Sequence, residues 1–291
     1  MQEFSLEYLR CIKCGGKLEL QTLRRGSEIE EGFLFCKKCV LHFPVIGKVA
    51  ILRDFAEYVS NRPRLGGDLL LSSNTMQMRS FVKKALSKAG KSFEDVSLIE
   101  KRWSGIYGNN RRSPFYSVMK KSLDSMPGGM ALEHGCSIGI ITEHLAKNHP
   151  IAFGIDRSYY AVLEAKKRTR KNLDYFVADS LEQPFGKVQF ELVAGLNLFE
   201  LIEPKVLLKS LARQVKKGGS LMLSDPYDYD RGTKSVREPL FADSVRDELI
   251  QLGFSISGKT RLPSRINWNL RLYDRAVLRY DVDLVIGKKL G

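Results

Sequence analysis

Two C-x-x-C pairs near the start, Cys11-Ile-Lys-Cys14 and Cys36-Lys-Lys-Cys39, restrict this chain more than any other feature of its sequence. Each pair can present two thiolates from a tight knuckle, and two knuckles complete a tetrahedral zinc shell. The 21 residues between Cys14 and Cys36 are slightly more than the gap of about 15–20 usual for such sites. Gly15-Gly16 follows the first knuckle, where the chain turns around the metal. Leu18-Glu19-Leu20 and Gly32-Phe33-Leu34-Phe35 read as strands, so a hairpin is expected between the knuckles. Four thiolates leave no open position for water, so the zinc expected on Cys11, Cys14, Cys36 and Cys39 is structural. A redox dithiol is the competing reading, but its βαβ setting is absent here. The fifth cysteine, Cys136, stands alone.

That cysteine usage fits a reducing compartment better than a disulfide framework. No run of about 18 apolar residues marks a membrane span. Met1-Gln2-Glu3-Phe4 lacks the basic start of a secretory leader. A cytoplasmic protein that does not engage a membrane is expected.

The ribbon has a recognisable pattern. Leu9-Arg10-Cys11 through Cys14-Gly15-Gly16-Lys17-Leu18, then Gly32 to Cys36 and Cys39, then Phe43-Pro44-Val45-Ile46-Gly47, resembles a zinc-ribbon family. That family includes the small activator subunit shared by tRNA, rRNA and release-factor methyltransferases. It is similar, less closely, to the zinc module of the large-subunit rRNA guanine methyltransferases. From that second module the chain departs by having Cys39 where a histidine-containing spacing is expected. His42 is read as a packing residue near Phe43.

Residues 54–70, with Asn61-Arg62-Pro63-Arg64-Leu65-Gly66-Gly67, read as a linker by composition. Residues 75–90 carry Met76, Met78, Phe81, Val82, Ala85 and Leu86 at helical spacing. Residues 96–124 read as further helix, broken at Gly105–Gly108 and at Pro114. Residues 61–130 hold 13 basic against 5 acidic side chains, the largest part of the net charge of +14. Such a surface attracts polyanions such as RNA, and it also serves solubility alone. Trp103, Tyr107, Phe115 and Tyr116 interleave with Lys101, Arg102, Arg111 and Arg112. Most of these read as a helical pair packed on the core. Tyr107, Arg112 and Tyr116 are kept as lid candidates.

From Gly129 strands and helices alternate. Met130–Glu133, Pro150–Asp156, Leu173–Asp179, Phe190–Asn197 and Ser220–Asp225 are apolar runs, with helical stretches at Ile140–Ala146, Tyr160–Lys171, Pro204–Val215 and Asp243–Leu252. Lys216-Lys217-Gly218-Gly219 reads as a helix C-cap. Late strands are expected near Ser255–Arg261 and Ala276–Ile286. This is an α/β pattern with a mostly parallel sheet. In such sheets ligands bind beyond the carboxyl ends of the strands. The turn Glu133-His134-Gly135-Cys136-Ser137-Ile138-Gly139 lets backbone approach a ligand closely at a helix start. Asp156, 21 residues after Gly135, sits where a ribose-binding acid belongs. A glycine turn with a distant acid also suits NAD.

Glu133 before the glycines, Asp179 ending the third strand and the Phe190–Asn197 strand fall outside the dinucleotide fingerprint. Together they resemble the class I methyltransferases, over about residues 129–288. The resemblance implies S-adenosylmethionine as cofactor and a Rossmann-like, mostly parallel sheet of seven strands. It implies that Glu133 orients the methionine amino group, Asp156 holds the ribose hydroxyls and Asp179 contacts the adenine. Gly135, Cys136, Ser137, Gly139, Ser180 and Asn197 complete the expected cofactor-binding set. The chain departs from the family with Ser137 at the usual middle glycine and with His134 and Cys136 inside the turn. Cys136 reads as a small filler, with no evident base beside it.

The expected organisation is a zinc ribbon over residues 1–58, a helical linker and lid over 59–127, and a methyltransferase domain over 128–291. Acceptor-side candidates are Asn197 and Glu200 after the fourth strand, and Asp225, Tyr227 and Asp228 after the fifth. Asn197, Asp225 and Tyr227 are the expected catalytic residues. The Asn-Pro-Pro-Tyr motif of amino-methylating enzymes is absent, and Asp225-Pro226-Tyr227 is only a loose analogue. The ribbon and the basic middle point to an acceptor in RNA or a protein of the translation apparatus. A small molecule or peptide methylated on nitrogen, a non-catalytic ribbon-bearing binding module and an NAD-dependent oxidoreductase are the alternatives.

Overall fold

The computed structural model describes residues 1–89, 94–126, 128–230 and 236–291. Gly90, at the end of the expected helix over 75–90, and Pro127, the last residue of the expected linker and lid, lie outside the described residues.

The chain opens with strands β1 (Glu19–Arg25), β2 (Ile29–Cys36), β3 (Leu41–Ile46) and β4 (Val49–Ile51). Helices α1 (Phe55–Ser60), α2 (Pro63–Ser72), α3 (Met76–Lys88), α4 (Val96–Asn109) and α5 (Pro114–Leu123) follow. Alternation then begins, with β5 (Met130–His134), α6 (Ile140–Asn148), β6 (Ile151–Asp156), α7 (Tyr159–Lys166), β7 (Leu173–Val177), β8 (Phe190–Leu196), α8 (Pro204–Gln214) and β9 (Val215–Asp225). The chain finishes with α9 (Ala242–Gln251), β10 (Phe254–Ile256), β11 (Ile266–Tyr273) and β12 (Ala276–Lys289). With the ribbon strands and β11 set aside, the described residues contain the seven expected strands of a Rossmann-like methyltransferase fold. Among the described residues no helix is long and apolar enough to cross a membrane.

Two compact units share this chain. One comprises Met1–Gly105, Ser137–Gly139 and Ile155–Val188. The other comprises Ile106–Cys136, Ile140–Gly154 and Gln189–Gly291.

In the first unit the strand order is β1-β2-β3-β4-β7. The ribbon strands pair antiparallel, and β4 then runs parallel to β7, with Ala50 opposite Phe176 and Ile51 opposite Val177. The ribbon is thus continuous with the α/β sheet rather than tethered to it. Two apolar segments on either side of the Gly47-Lys48 turn explain this. Val45, Ile46, Val49, Ala50, Ile51 and Leu52 are all fully buried, as a strand covered on both faces requires. A buried ion cluster adds to it. The Lys166 ammonium lies 2.5 Å from Glu28 and 2.7 Å from Asp174. Burial works against its charge, but the two carboxylates outweigh burial and hold its pKa above the ordinary lysine value.

Residues 54–70 are not a linker. Asp54 caps α1 by accepting from Glu57 N at 3.1 Å, and Pro63 opens α2, where its missing N–H costs nothing. Leu65 and Leu69 bury against the core. The Gly-rich composition concealed an amphipathic helix. Likewise α4 runs through Gly105 and Gly108 without a break. Two glycines cost about 1 kcal/mol each in a helix, which the rest of α4 outweighs. The interruption comes only at residues 110–113, before Pro114. Met76 is exposed, whereas Met78, Val82 and Ala85 form the buried stripe of α3.

In the second unit the order is β5-β8-β9-β12-β10, with β11 paired to β12. Pairings β5/β8 and β8/β9 are parallel, whereas β12 runs antiparallel to β9 and β10. Lys216–Gly219 do not cap α8. The helix ends at Gln214, Val215 is already extended, and those four residues bulge within β9. Phe190 pairs with Val215 and Leu192 next with Ser220, so the extra residues loop out of register. The expected strand over Ser255–Arg261 shrinks to β10. Ile266–Tyr273 instead forms β11, a hairpin arm invisible to the βα pattern.

Candidate active site

The four ribbon cysteines come together. Their Sγ atoms all lie within 4.8 Å of one another, and Cys14 and Cys36 are 3.6 Å apart. A tetrahedral shell with Zn–S near 2.3 Å sets sulfurs about 3.8 Å apart, so the donor set fits zinc. Cys11 and Cys36 are buried, and Cys14 and Cys39 are half-buried. His42 is outside this cluster. Its ring packs 4.7 Å from that of Phe35 and 5.9 Å from that of Phe33.

The turn after β5 is tightly wound. Gly135 and Gly139 have φ of +64° and +80°, and Ser137 has φ +47°. A Cβ on Gly135 would meet Leu198, and one on Gly139 would meet the Tyr175 hydroxyl at 2.7 Å, so both positions require glycine. Ser137, in place of a third glycine, keeps the left-handed backbone. Its N–H donates to Asp156 Oδ2 at 2.8 Å. Asp156 Oδ1 accepts from Ser158 N at 2.8 Å. Desolvation pushes the Asp156 carboxyl upward, opposed by these N–H groups and by Arg157. Arg168 donates to Ile138 O at 3.1 Å and Tyr175 to Gly139 O at 3.2 Å, which fix the turn's last residues.

Asp179, two residues beyond β7, accepts from Leu181 N at 2.9 Å and from Arg53 at 2.9 Å. Ser180 beside it is buried. Asp156, Asp179, Ser180, Ser137 and Gly139 therefore belong to the first unit. Glu133, Gly135, Cys136 and Asn197 belong to the second. Glu133 is buried and accepts from the Thr142 hydroxyl on α6. Cys136 is buried.

On the acceptor side, Asn197 and Tyr227 both have left-handed backbones, with φ of +57° and +55°. Asn197 N donates to Ser224 O at 2.6 Å, and Ser224 Oγ donates to Asn197 Oδ1 at 3.0 Å. Asp225 is buried and accepts from Phe199 N at 2.9 Å and Tyr227 N at 2.8 Å. It ties the ends of β8 and β9 together. Burial pushes its carboxyl up to about 7, the two N–H donors oppose this, and nearby Glu200 adds to it. The Tyr227 hydroxyl donates to Asp283 at 3.0 Å, and Asp283 also pairs with Arg246 at 2.7 Å. Glu200 is buried, and Asp228 is partly exposed.

Residues 132–223 match the family model described as a methyltransferase domain. This part of the chain is a methyltransferase domain. Two curated relatives carry the description ubiquinone biosynthesis O-methyltransferase. The mitochondrial one of Schizosaccharomyces pombe is 30% identical over 124 residues, covering 40% of this chain and 44% of the relative. One from Coxiella burnetii is 28% identical over 104 residues, covering 34% and 44%. The chain therefore spans less than half the length of these relatives. Among solved structures, a chain from the complex between the Haloferax volcanii Trm112 methyltransferase activator and the putative methyltransferase superposes with a TM-score of 0.51. It is 16% identical, with 66% of this chain and 98% of that chain covered. At that identity the likeness is one of fold.

Of the lid candidates, Tyr107 and Tyr116 enter an aromatic cluster. Tyr107 lies parallel to Trp268 of β11 at 6.1 Å, and Phe115 bridges Tyr116 and Trp268 at 5.4 and 5.0 Å. Burial, with Tyr107 and the Glu133 charge, raises the Tyr116 phenol above its usual value. Arg112 is exposed. Sequence reasoning passed over Thr142, which holds Glu133, and Arg53, which holds Asp179. Thr142 lies 9 residues from Glu133 with no motif to mark it, and Arg53 lies 126 residues from Asp179.

Proposed function

We propose that the chain is an S-adenosylmethionine-dependent methyltransferase with a structural zinc ribbon. The observation that carries this is the left-handed turn after β5, tied through Ser137 N to Asp156 inside a matched methyltransferase domain. Glu133 would receive the methionine amino group, Asp156 the ribose hydroxyls and Asp179 with Ser180 the adenine. Gly135, Cys136, Ser137 and Gly139 would supply close backbone, with Asn197 at the acceptor side. Cys11, Cys14, Cys36 and Cys39 would hold zinc, and residues 1–58, 59–127 and 128–291 remain our working division.

When bound, the cofactor supplies an activated methyl group, so the protein's part is to position the acceptor and exclude water. Asn197 and Tyr227, fixed by strained backbones at neighbouring strand ends, are suited to position the acceptor. Asp225, poised near neutrality, is suited to take a proton from it. Tyr107, Arg112 and Tyr116 would form the lid.

For the acceptor, the basic 61–130 segment and the ribbon's resemblance to the translation-linked activators support RNA or a translation protein. The curated relatives support a second reading, a hydroxyl-bearing small molecule. Calorimetric titration with S-adenosylhomocysteine, with NADH as control, tests the class. Micromolar binding of the first alone is expected, and binding of NADH alone would replace this reading with an oxidoreductase. RNA binding should weaken steeply with salt, and salt-independent binding would favour the small molecule.

A further inference from the structure

Asp156 and Asp179 share their unit with the segment that leaves the ribbon, and that segment reaches both of their loops. Leu52 N donates to Val177 O at 2.8 Å, extending the parallel β4/β7 pairing to its end. Parallel strands leave a sheet in the same direction. Arg53 therefore departs beside the chain leading to Asp179. Its Nη1 donates to Asp179 Oδ2 at 2.9 Å, and its Nε lies 3.0 Å from Glu182 Oε2. Asp54 caps α1, which directs Tyr58 toward the other loop. The Tyr58 hydroxyl donates to Arg157 O at 2.8 Å and accepts from Tyr159 N at 3.2 Å, immediately after Asp156.

We propose that Arg53 is a positioning residue for the adenosine end of the cofactor, orienting Asp179 while Tyr58 holds the turn after Asp156. The ribbon strand thereby sets cofactor affinity from within the same chain. This rests on the methyltransferase reading above. With Leu181 N on one oxygen and Arg53 on the other, the Asp179 carboxylate has a single orientation. Arg53 and Asp179 are each only 16% exposed, so water screens the pair weakly. The planar guanidinium also bridges two carboxylates of one loop, Asp179 and Glu182, that would otherwise repel. Lysine, a point charge on a flexible stem, holds one of them at a time.

The test is calorimetric titration of the full chain with S-adenosylhomocysteine, comparing wild type, Arg53→Met, Arg53→Lys, Asp179→Asn and the double variant Arg53→Met/Asp179→Asn. Arg53→Met and Asp179→Asn should each weaken binding about tenfold and Arg53→Lys about threefold. The double variant should bind no more weakly than Asp179→Asn, because Arg53 acts through that carboxylate. Wild-type affinity in Arg53→Met, or losses that multiply in the double variant, would overturn the proposal. So would an unchanged Asp179→Asn. If Arg53→Met does not fold, Arg53→Lys decides, and wild-type affinity there is equally fatal. A wild-type chain that binds no S-adenosylhomocysteine removes the methyltransferase reading itself, and this inference with it. That outcome is distinct from variants that bind as well as wild type.

Discussion

Asp156 and Asp179 in the first unit differ from Glu133 and Asp225 in the second in how deeply they are buried. In the first unit Asp156 and Asp179 stay partly exposed and are held by main-chain N–H groups, and Asp179 also by the Arg53 guanidinium. In the second, Glu133 and Asp225 are buried and are held by neutral donors, a threonine hydroxyl and two main-chain N–H groups. Desolvation raises the Asp156 carboxyl against its N–H donors and Arg157, and it lifts the more deeply buried Asp225 to about 7. The first unit should therefore respond to loss of metal and of charge partners, and the second to pH.

The largest effect expected is removal of metal. One zinc per chain should be found by elemental analysis, and its removal should unfold the ribbon, since structural zinc contributes on the order of 10 kcal/mol to such modules. A chain without zinc whose ribbon is folded would break the comparison at its first term. Next is Lys166→Met. It leaves Glu28 and Asp174 buried together, and a loss of about 3–5 kcal/mol in denaturant unfolding is expected. A loss near zero would mean that water already reaches the cluster. Asp156→Ala should weaken S-adenosylhomocysteine by one to two orders of magnitude, about 1–3 kcal/mol. Unchanged affinity would detach the Ser137–Asp156 contact from cofactor binding.

Asp225 sharpens the other side. Its folded pKa of about 7 lies above the ordinary carboxyl value of 3.8. The native state thus holds a proton that the unfolded state releases between those values, and stability should fall as pH rises from about 4 to 7. Asp225→Asn should flatten that slope. If Asp225 takes the acceptor's proton, methyl transfer should rise through pH 7, and the same variant should abolish the inflection. A wild-type profile flat from pH 6 to 8 would exclude it from proton transfer. The smallest effect is at Ser137, whose φ of +47° costs a non-glycine residue about 1 kcal/mol. Ser137→Gly should raise stability by up to that amount, and a loss would show that the side chain makes a contact worth more than the strain.

The strands of the α/β region were legible because each is an apolar run ending in a polar residue at the rim. The cysteine cluster was legible because knuckle spacing is local. The helices over 55–72 were not, since the Asn61-Arg62-Pro63-Arg64 and Gly66-Gly67 runs masked the buried Leu65 and Leu69. Nor was β11, whose exposed and buried residues alternate outside the βα rhythm. For the candidate site, Glu133, Asp156 and Asp179 could be named as candidates from their places at or just beyond the ends of β5, β6 and β7. What each carboxylate touches could not.

By itself the sequence determined the secondary-structure alternation, the two C-x-x-C pairs and the strand-end acids, because each follows from local spacing. Only the tertiary structure decided that the ribbon joins the sheet through β4, that Arg53 meets Asp179 126 residues away, and that Asp225 is desolvated. Those depend on which distant segments pack together, and burial and charge pairing take their magnitude from that packing.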